Sequence, residues 1–217
     1  MAYAKREKGR GIVATMPGLS RATVARLPRY LQLLDDVGAD RDTVSSDDLA
    51  GAAGVNPANV RRDLSALGFQ GTRGVGYSVA PLRDRIRREL GIDSRRRVAI
   101  VGAGNLGTAL ARYTGLGKRG FDVVAIYDVD PKRIGEGVGE LTVRDLEHIA
   151  ADCADGRFEM AILAVPARAA QPVADLLARA GVSSILNFAP HRVSVPDGVA
   201  VRHVDLSIEL QILSYYG

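Results

Sequence analysis

The stretch Val-Gly-Ala-Gly-Asn-Leu-Gly, residues 101–107, places glycines at 102, 104 and 107. This spacing suits a loop that turns tightly, lets its backbone approach a phosphate, and then packs a helix closely against a strand. Gly102 serves the turn, Gly104 the approach to a pyrophosphate, and Gly107 the helix–strand packing. Ala103, Asn105 and Leu106 supply the rest of the loop. An anion held there meets free N–H groups and the positive end of the helix dipole. By itself the glycine pattern is weak. A second residue strengthens it: Asp128 closes the apolar run FDVVAIYD, 21 residues beyond Gly107. A carboxylate at that place hydrogen-bonds the adenosine ribose of a dinucleotide. Its charge repels a 2′-phosphate, which favours NAD(H) over NADP(H), although Lys132 and Arg133 nearby oppose that preference. Asp130, beside Pro131, is the rival acid.

The elements needed to hold these residues are legible around them. RRVAIV is a buried strand running into the glycine loop, and GNLGTALARYTG continues as a helix. LTVRDLEHIA reads as a helix, FEMAILAVP as a buried strand, ARAAQPVADLLARAG as a helix interrupted near its start by Pro172, and SSILNFAP as another strand. Such alternation predicts a parallel, doubly wound, Rossmann-like sheet, with ligand loops at the carboxyl ends of its strands. Val165-Pro166 and Asn187-Phe188-Ala189-Pro190 fall on those loops and are candidates for the nicotinamide end. Catalytic residues are not evident. His148, His191 and His203 are scattered without metal-ligand spacing, and Cys153 has no partner motif. Little chain remains for a substrate domain, which weighs against an enzyme.

The residues before the loop have a different character. Residues 1–97 hold 18 Lys and Arg against 11 Asp and Glu, net +7, and the rest hold 11 against 14, net −3. A basic half joined to a mildly acidic half suggests that only the first meets a polyanion. Helical spacing begins near Ser20 and carries Leu27, Tyr30, Leu31 and Leu34, with Gly38 as a stop. Ser46 is placed to cap a short helix that Gly54 ends. Asn56 caps a second helix with Pro57 at its first position, and Gly68 terminates it. Two short helices with a glycine turn form a helix-turn-helix. On the second, Val60, Leu64 and Leu67 share the apolar face, Asp63 falls beside it, and Arg61, Arg62 and Ser65 occupy the opposite arc. That arc, with Asn59 at its start, suits a recognition helix in a DNA major groove. GTRGVGYSVA reads as a β-hairpin, the wing of a winged helix, and makes Arg73 and Tyr77 further DNA candidates. PLRDRIRRELGIDSRRR reads as a charged linker helix ending near Gly91.

The apolar fraction of 47% in 217 residues supports two small domains with real cores. No apolar run is long enough to span a membrane. The N-terminus has the basic start of a secretory signal but no apolar stretch behind it, and a single cysteine forms no internal disulfide. The expectation is a cytoplasmic protein without membrane or metal partners.

The strings NVRRDLSALG with FQGTRGVGY, then VGAGNLG, YDVDP, AILAVP and ILNFAP, occur in this order. Together they resemble the Rex family of bacterial redox-sensing transcriptional repressors, over nearly everything from about residue 20 onward. The resemblance implies a homodimer on a palindromic operator, NADH as the ligand that releases it and NAD+ as the ligand that does not. It implies control of respiration and NADH-reoxidation genes. It also implies a C-terminal helix exchanged between protomers, and roles near the nicotinamide for Tyr113 and Asp205. The expected organisation is a basic, flexible arm at 1–19, a winged-helix domain with linker helix at 20–92, a Rossmann domain at 93–204, and a dimerisation helix at 205–217. The basic arm has no counterpart role to transfer. The tail VDLSIELQILSYYG carries Leu206, Leu210 and Leu213 on one face with Ile208 and Ile212 beside them, and packs either on its own domain or on a partner. Two other readings stay open: a DNA-binding regulator of another adenine nucleotide or coenzyme A, and a small NAD-dependent oxidoreductase.

Overall fold

The structure, a computed structural model, describes residues 19–38 and 40–216. The basic arm expected at the N-terminus therefore lies almost wholly outside the described residues. The chain divides into two compact units between Asp93 and Ser94.

In the first unit, α1 (Arg21–Val37) begins where the Ser20 side chain accepts the Thr23 N–H, and it buries Leu27, Tyr30, Leu31 and Leu34. After β1 (Thr43–Val44) come α2 (Ser46–Ala53) and α3 (Pro57–Ala66). The cap of α2 is Ser45, not Ser46. Asp48 decides this, because it lies three residues after Ser45 and its carboxylate accepts the Ser45 N–H, completing a capping box. Gly54 turns the chain at φ 65°, Asn56 caps α3, and Pro57 opens it. The helix-turn-helix is thus present as expected.

The hairpin expected over residues 71–80 is not a two-stranded ribbon. One bridge, Thr72 to Gly76, closes a tight loop. β2 (Tyr77–Ser78) then pairs antiparallel with β1, and Val79 already begins α4 (Val79–Glu89). Gly76 permits this arrangement, since a Cβ there would overlap the Val44 carbonyl. The helix expected to end near Gly91 is α4, and it is more than a connector: Val79, Leu82 and Ile86 are buried in the core formed with α1, α2 and α3.

The second unit is built on a seven-stranded sheet. In chain order it contains β3 (Arg96–Val101), α5 (Asn105–Arg112), α6 (Thr114–Lys118), β4 (Phe121–Asp128), β5 (Gly137–Val138) and β6 (Leu141–Asp145). There follow α7 (Ile149–Ala154), β7 (Met160–Leu163), α8 (Ala167–Ala180), β8 (Ser184–Asn187), β9 (Ala200–His203) and α9 (Leu206–Leu213). The spatial order is β5-β6-β4-β3-β7-β8-β9, parallel throughout except for the β5–β6 pair. β3 is covered on both faces: Val98 and Ile100 pack into one apolar cluster, Ala99 and Val101 into the other. The order reverses at β3, with β4 on one side and β7 on the other. The crevice at the carboxyl end of β3 is therefore the place for a ligand.

Three elements depart from expectation. Leu141–Asp145 is a strand rather than helix, because Val143 pairs with Ile126 and lies buried against the sheet; helix resumes only after Asp145. Pro172 does not interrupt α8, which buries Ala170, Val173, Ala174 and Leu177 on one face. That burial offsets the one hydrogen bond the proline cannot make. The cofactor helix stops at Arg112, and Tyr113 in extended conformation separates it from α6.

Candidate functional site

The glycine loop lies where β3 passes into α5. Gly102 has φ 103°, and a Cβ there would overlap the Ala164 carbonyl. A Cβ on Gly107 would overlap the Gly102 carbonyl. Gly104 differs: a Cβ there would meet nothing within 4 Å. The loop is thus pinned by Gly102 and Gly107 and open at Gly104, the side on which a pyrophosphate would approach. No side chain caps α5, so its first-turn N–H groups at Asn105 and Leu106 are suited to an anion.

Asp128, at the end of β4, belongs to the same construction. Its Oδ2 accepts the Ala103 N–H at 2.6 Å, and its Oδ1 accepts the N–H groups of Val129 at 2.7 Å and Asp130 at 3.0 Å. A carboxylate offers roughly four acceptor positions, so one remains for a ribose hydroxyl. The rival, Asp130, is occupied in turning the chain, accepting the Lys132 N–H. Gly102, Gly104, Asp128, Val165 and Pro166 line one cleft of about 350 Å³, together with Leu146, Arg133 and Arg168. Sequence reading missed Arg168. Its position two residues after Pro166, in the first turn of α8, was the available signal.

A second cleft, of about 530 Å³, brings Leu106, Phe188 and Asp205 together with His191, Arg192 and His203. Asn187, expected at the ligand, is fully buried and serves the loop instead. Its Nδ2 donates to the His191 carbonyl and bonds His203 Nδ1 at 3.0 Å, and its Oδ1 accepts the Ala189 N–H. Burial, and then the charge of Arg192, lower the His203 imidazole from its ordinary range. Asp205 caps α9 by accepting from Ser207, and those hydrogen bonds hold its carboxyl below the usual range. Tyr113 lies against Gly115 and lines neither cleft.

In the first unit, Arg61, Arg62 and Ser65 are exposed on one side of α3, and Val60, Leu64 and Leu67 are buried on the other. Arg61 donates to Ser46 Oγ at 3.1 Å. It shares a groove of about 480 Å³ with Ser45, Ser46, Arg73 and the loop from Gly71 to Tyr77. Asn59 donates its backbone N–H to the Asn56 cap. Tyr77 is a correction: it is 8% exposed and its ring packs 6.5 Å from that of Phe69. Pairing of β2 with β1 turns it into the core. Asp63, read as lying beside the apolar face, is 1% exposed. It accepts hydrogen bonds from Thr23, Arg26 and Tyr30 of α1.

Among the described residues no cluster of His, Cys, Asp and Glu could hold a metal, and no helix is long and apolar enough to cross a membrane.

Two family models match, one described as a CoA binding domain over residues 93–191 and one as "Putative DNA-binding protein N-terminus" over residues 18–65. The redox-sensing transcriptional repressor Rex of Streptomyces coelicolor is 51% identical over 201 residues, 92% of this chain and 78% of that protein. Rex of Desulforamulus reducens is 42% identical over 200 residues, 91% and 94% of the two chains. The crystal structure of RSP, a Rex-family repressor, is similar with a TM-score of 0.82 at 36% identity, over 91% of this chain and 93% of that one. RSP in complex with β-NAD+ and operator DNA gives 0.84 at 37% identity, over 91% and 92%. RSP in complex with β-NADH gives 0.81 at 37% identity, over 91% and 93%. With 51% identity to one Rex repressor over 92% of its length, and with the helix-turn-helix and the glycine-loop sheet in the same chain, this protein belongs to the Rex family of redox-sensing transcriptional repressors.

Proposed function

We propose that the protein represses transcription by binding operator DNA through its first unit, and that NADH bound in its second unit releases it. The observation that carries this reading is the coexistence in one chain of an arginine-faced α3 beside the 71–76 loop and a glycine-pinned cleft ending on Asp128. The complexes of RSP with β-NADH and with β-NAD+ plus operator DNA support it. NADH and NAD+ would be read in the clefts on either side of the start of α5. The adenosine end takes Asp128, the pyrophosphate Gly104 and the N–H groups of Asn105 and Leu106, and the nicotinamide end Phe188 and Asp205. Arg61, Arg62, Ser65 and Arg73 contact the duplex, with Asn59 at the start of the reading helix. The loop carrying Arg73 acts as the wing. The regulated genes are those of respiration and NADH reoxidation. The chain has no catalytic role.

The working form is a homodimer on a palindromic site. α9 supports this, because Leu206, Ile208, Leu210, Ile212 and Leu213 are all exposed within the chain, Leu210 to 66%. A partner subunit would cover them, in the manner of an exchanged helix. NADH moves the equilibrium only through its difference in affinity between two states. A neutral nicotinamide is buried between protomers at lower cost than a charged one. Closure of the dimer by NADH takes the two α3 helices off the half-site spacing of roughly 34–36 Å.

The CoA binding domain match favours one alternative, a regulator whose second unit holds coenzyme A or another adenine nucleotide. A fluorescence-anisotropy titration decides between them. The probe is a palindromic duplex recovered by this protein from random-sequence DNA, at fixed salt. Release by NADH and not by NAD+ or coenzyme A is the expected result. Release by coenzyme A alone would replace the ligand, and failure to recover any duplex would remove the repressor reading.

A further inference from the structure

α3 carries a carboxylate in the middle of its reading sequence, immediately after Arg61 and Arg62. An acid there is costly on two counts. A buried charge without partners is strongly unfavourable, and an exposed one would repel DNA phosphates. The chain resolves both by turning Asp63 inward onto α1. Arg26 meets it with two hydrogen bonds, Nε to Oδ2 at 2.6 Å and Nη2 to Oδ1 at 2.7 Å. Tyr30 donates to Oδ2 at 2.8 Å and Thr23 to Oδ1 at 3.0 Å. Burial by itself would raise the Asp63 carboxyl, yet these donors together hold it below the usual carboxylate range. Burial and the bond to Asp63 push the Tyr30 hydroxyl well above the ordinary phenol range, so it remains a donor.

The geometry of this cluster goes beyond holding two helices together. Apolar contacts of Val60, Leu64 and Leu67 fix how close α3 sits, but they tolerate small rotations about its axis. Four directional bonds on a single carboxylate do not. A rotation of α3 moves the exposed arc, one residue spacing being about 100°, and so changes which base edge each arginine meets. Arg26 is also neutralised by this pairing, so the buried acid leaves no net charge beneath the reading face.

We propose that Asp63 is a positioning residue for DNA reading: its bonds to Thr23, Arg26 and Tyr30 set the rotation of α3, and thereby the sequence selectivity of Arg61, Arg62 and Ser65. This rests on the repressor reading above. A cluster that only stabilised the fold would lower the melting temperature and leave selectivity alone.

The test measures affinity of the full-length protein for its selected palindromic duplex and for a shuffled duplex of the same composition, across a salt series. Arg26→Lys keeps the charge and loses the two-pronged geometry, and Tyr30→Phe removes one hydroxyl. Both are chosen because they retain the apolar packing. The expected result for Arg26→Lys is a selectivity ratio lower by about tenfold, the scale of one lost base contact, with a smaller drop for Tyr30→Phe. Affinity for the shuffled duplex, its salt slope and NADH binding stay unchanged. If either variant fails to fold, the other carries the test. An unchanged ratio in a folded variant overturns the proposal, while a wild-type protein with no preference for the selected duplex overturns the repressor reading instead.

Discussion

At the scale of single residues, the glycine loop separates packing from binding. Gly107 has no room for a methyl group and Gly104 has open space. Gly107→Ala is expected to lower the melting temperature and abolish NADH binding, because the strand and helix must part. Gly104→Ala, at an ordinary backbone conformation of φ −70°, is expected to fold with a nearly unchanged melting temperature and lose NADH affinity by an order of magnitude or more. Thermal unfolding with NADH titration on both variants checks the pair; a Gly104→Ala protein with wild-type affinity would place the phosphates elsewhere. Asp63 gives a second residue-scale prediction. Its carboxyl lies below its ordinary 3.8 in the folded protein. The stabilisation it provides is therefore complete above that ordinary value and is lost as pH falls through the lower, folded one. Asp63→Asn should cost about 3 kcal/mol at pH 7, as expected for breaking a buried pair. It should also flatten the loss of stability below pH 4. Urea unfolding at pH 7 and pH 3 measures both effects. The glycines were readable because their demand is local, a missing Cβ at a fixed spacing. The Asp63 cluster was not, since its donors lie 33 to 40 residues away, and a carboxylate beside an apolar face looks the same whether it faces water or a buried arginine.

At the scale of elements, α9 is the one helix among the described residues whose apolar side chains all lie exposed within the chain, Leu206 to 64% and Leu210 to 66%. Leu210 is mostly exposed within the chain, so the expected outcome of Leu210→Arg is a folded protein that sediments as a monomer. It should bind a single half-site duplex and lose the palindrome's added affinity. Sedimentation velocity with a melting curve tests this. A dimer that survives the change would put the interface elsewhere. The elements also show where sequence reading runs out. The strands Arg96–Val101, Phe121–Asp128, Met160–Leu163 and Ser184–Asn187 were legible because each is a short apolar run beside a turn. Leu141–Asp145 was misread because LTVRD joined to LEHIA has helical spacing, and only pairing of Val143 with Ile126 makes it a strand. The expected hairpin failed for the same reason. Tyr77–Ser78 finds its partner at Thr43–Val44, more than 30 residues earlier, rather than across its own turn. Tyr77 was assigned to DNA as a consequence, and the strand pairing instead buries it.

At the scale of the whole molecule, the glycine-loop cleft and α3 lie in different compact units, one on each side of residue 93. Binding in one can affect the other only through states that both ligands discriminate. The effect is then reciprocal: the factor by which NADH weakens operator binding equals the factor by which operator weakens NADH binding, commonly about 5–150-fold. In the dimer proposed above, burial of the exposed α9 against a partner makes dimer formation part of that linkage. In the folded monomer made by Leu210→Arg, NADH should still bind, because Gly104 and Asp128 belong to the same chain, but half-site affinity should become indifferent to it. Measuring NADH affinity by fluorescence with and without saturating palindromic duplex, in the wild type and in this variant, separates the two cases. Equal factors in both directions for the wild type, and a factor near one for the monomer, are the expected pair. A monomer that still releases its half-site on NADH would move the switch from the dimer interface into the single chain.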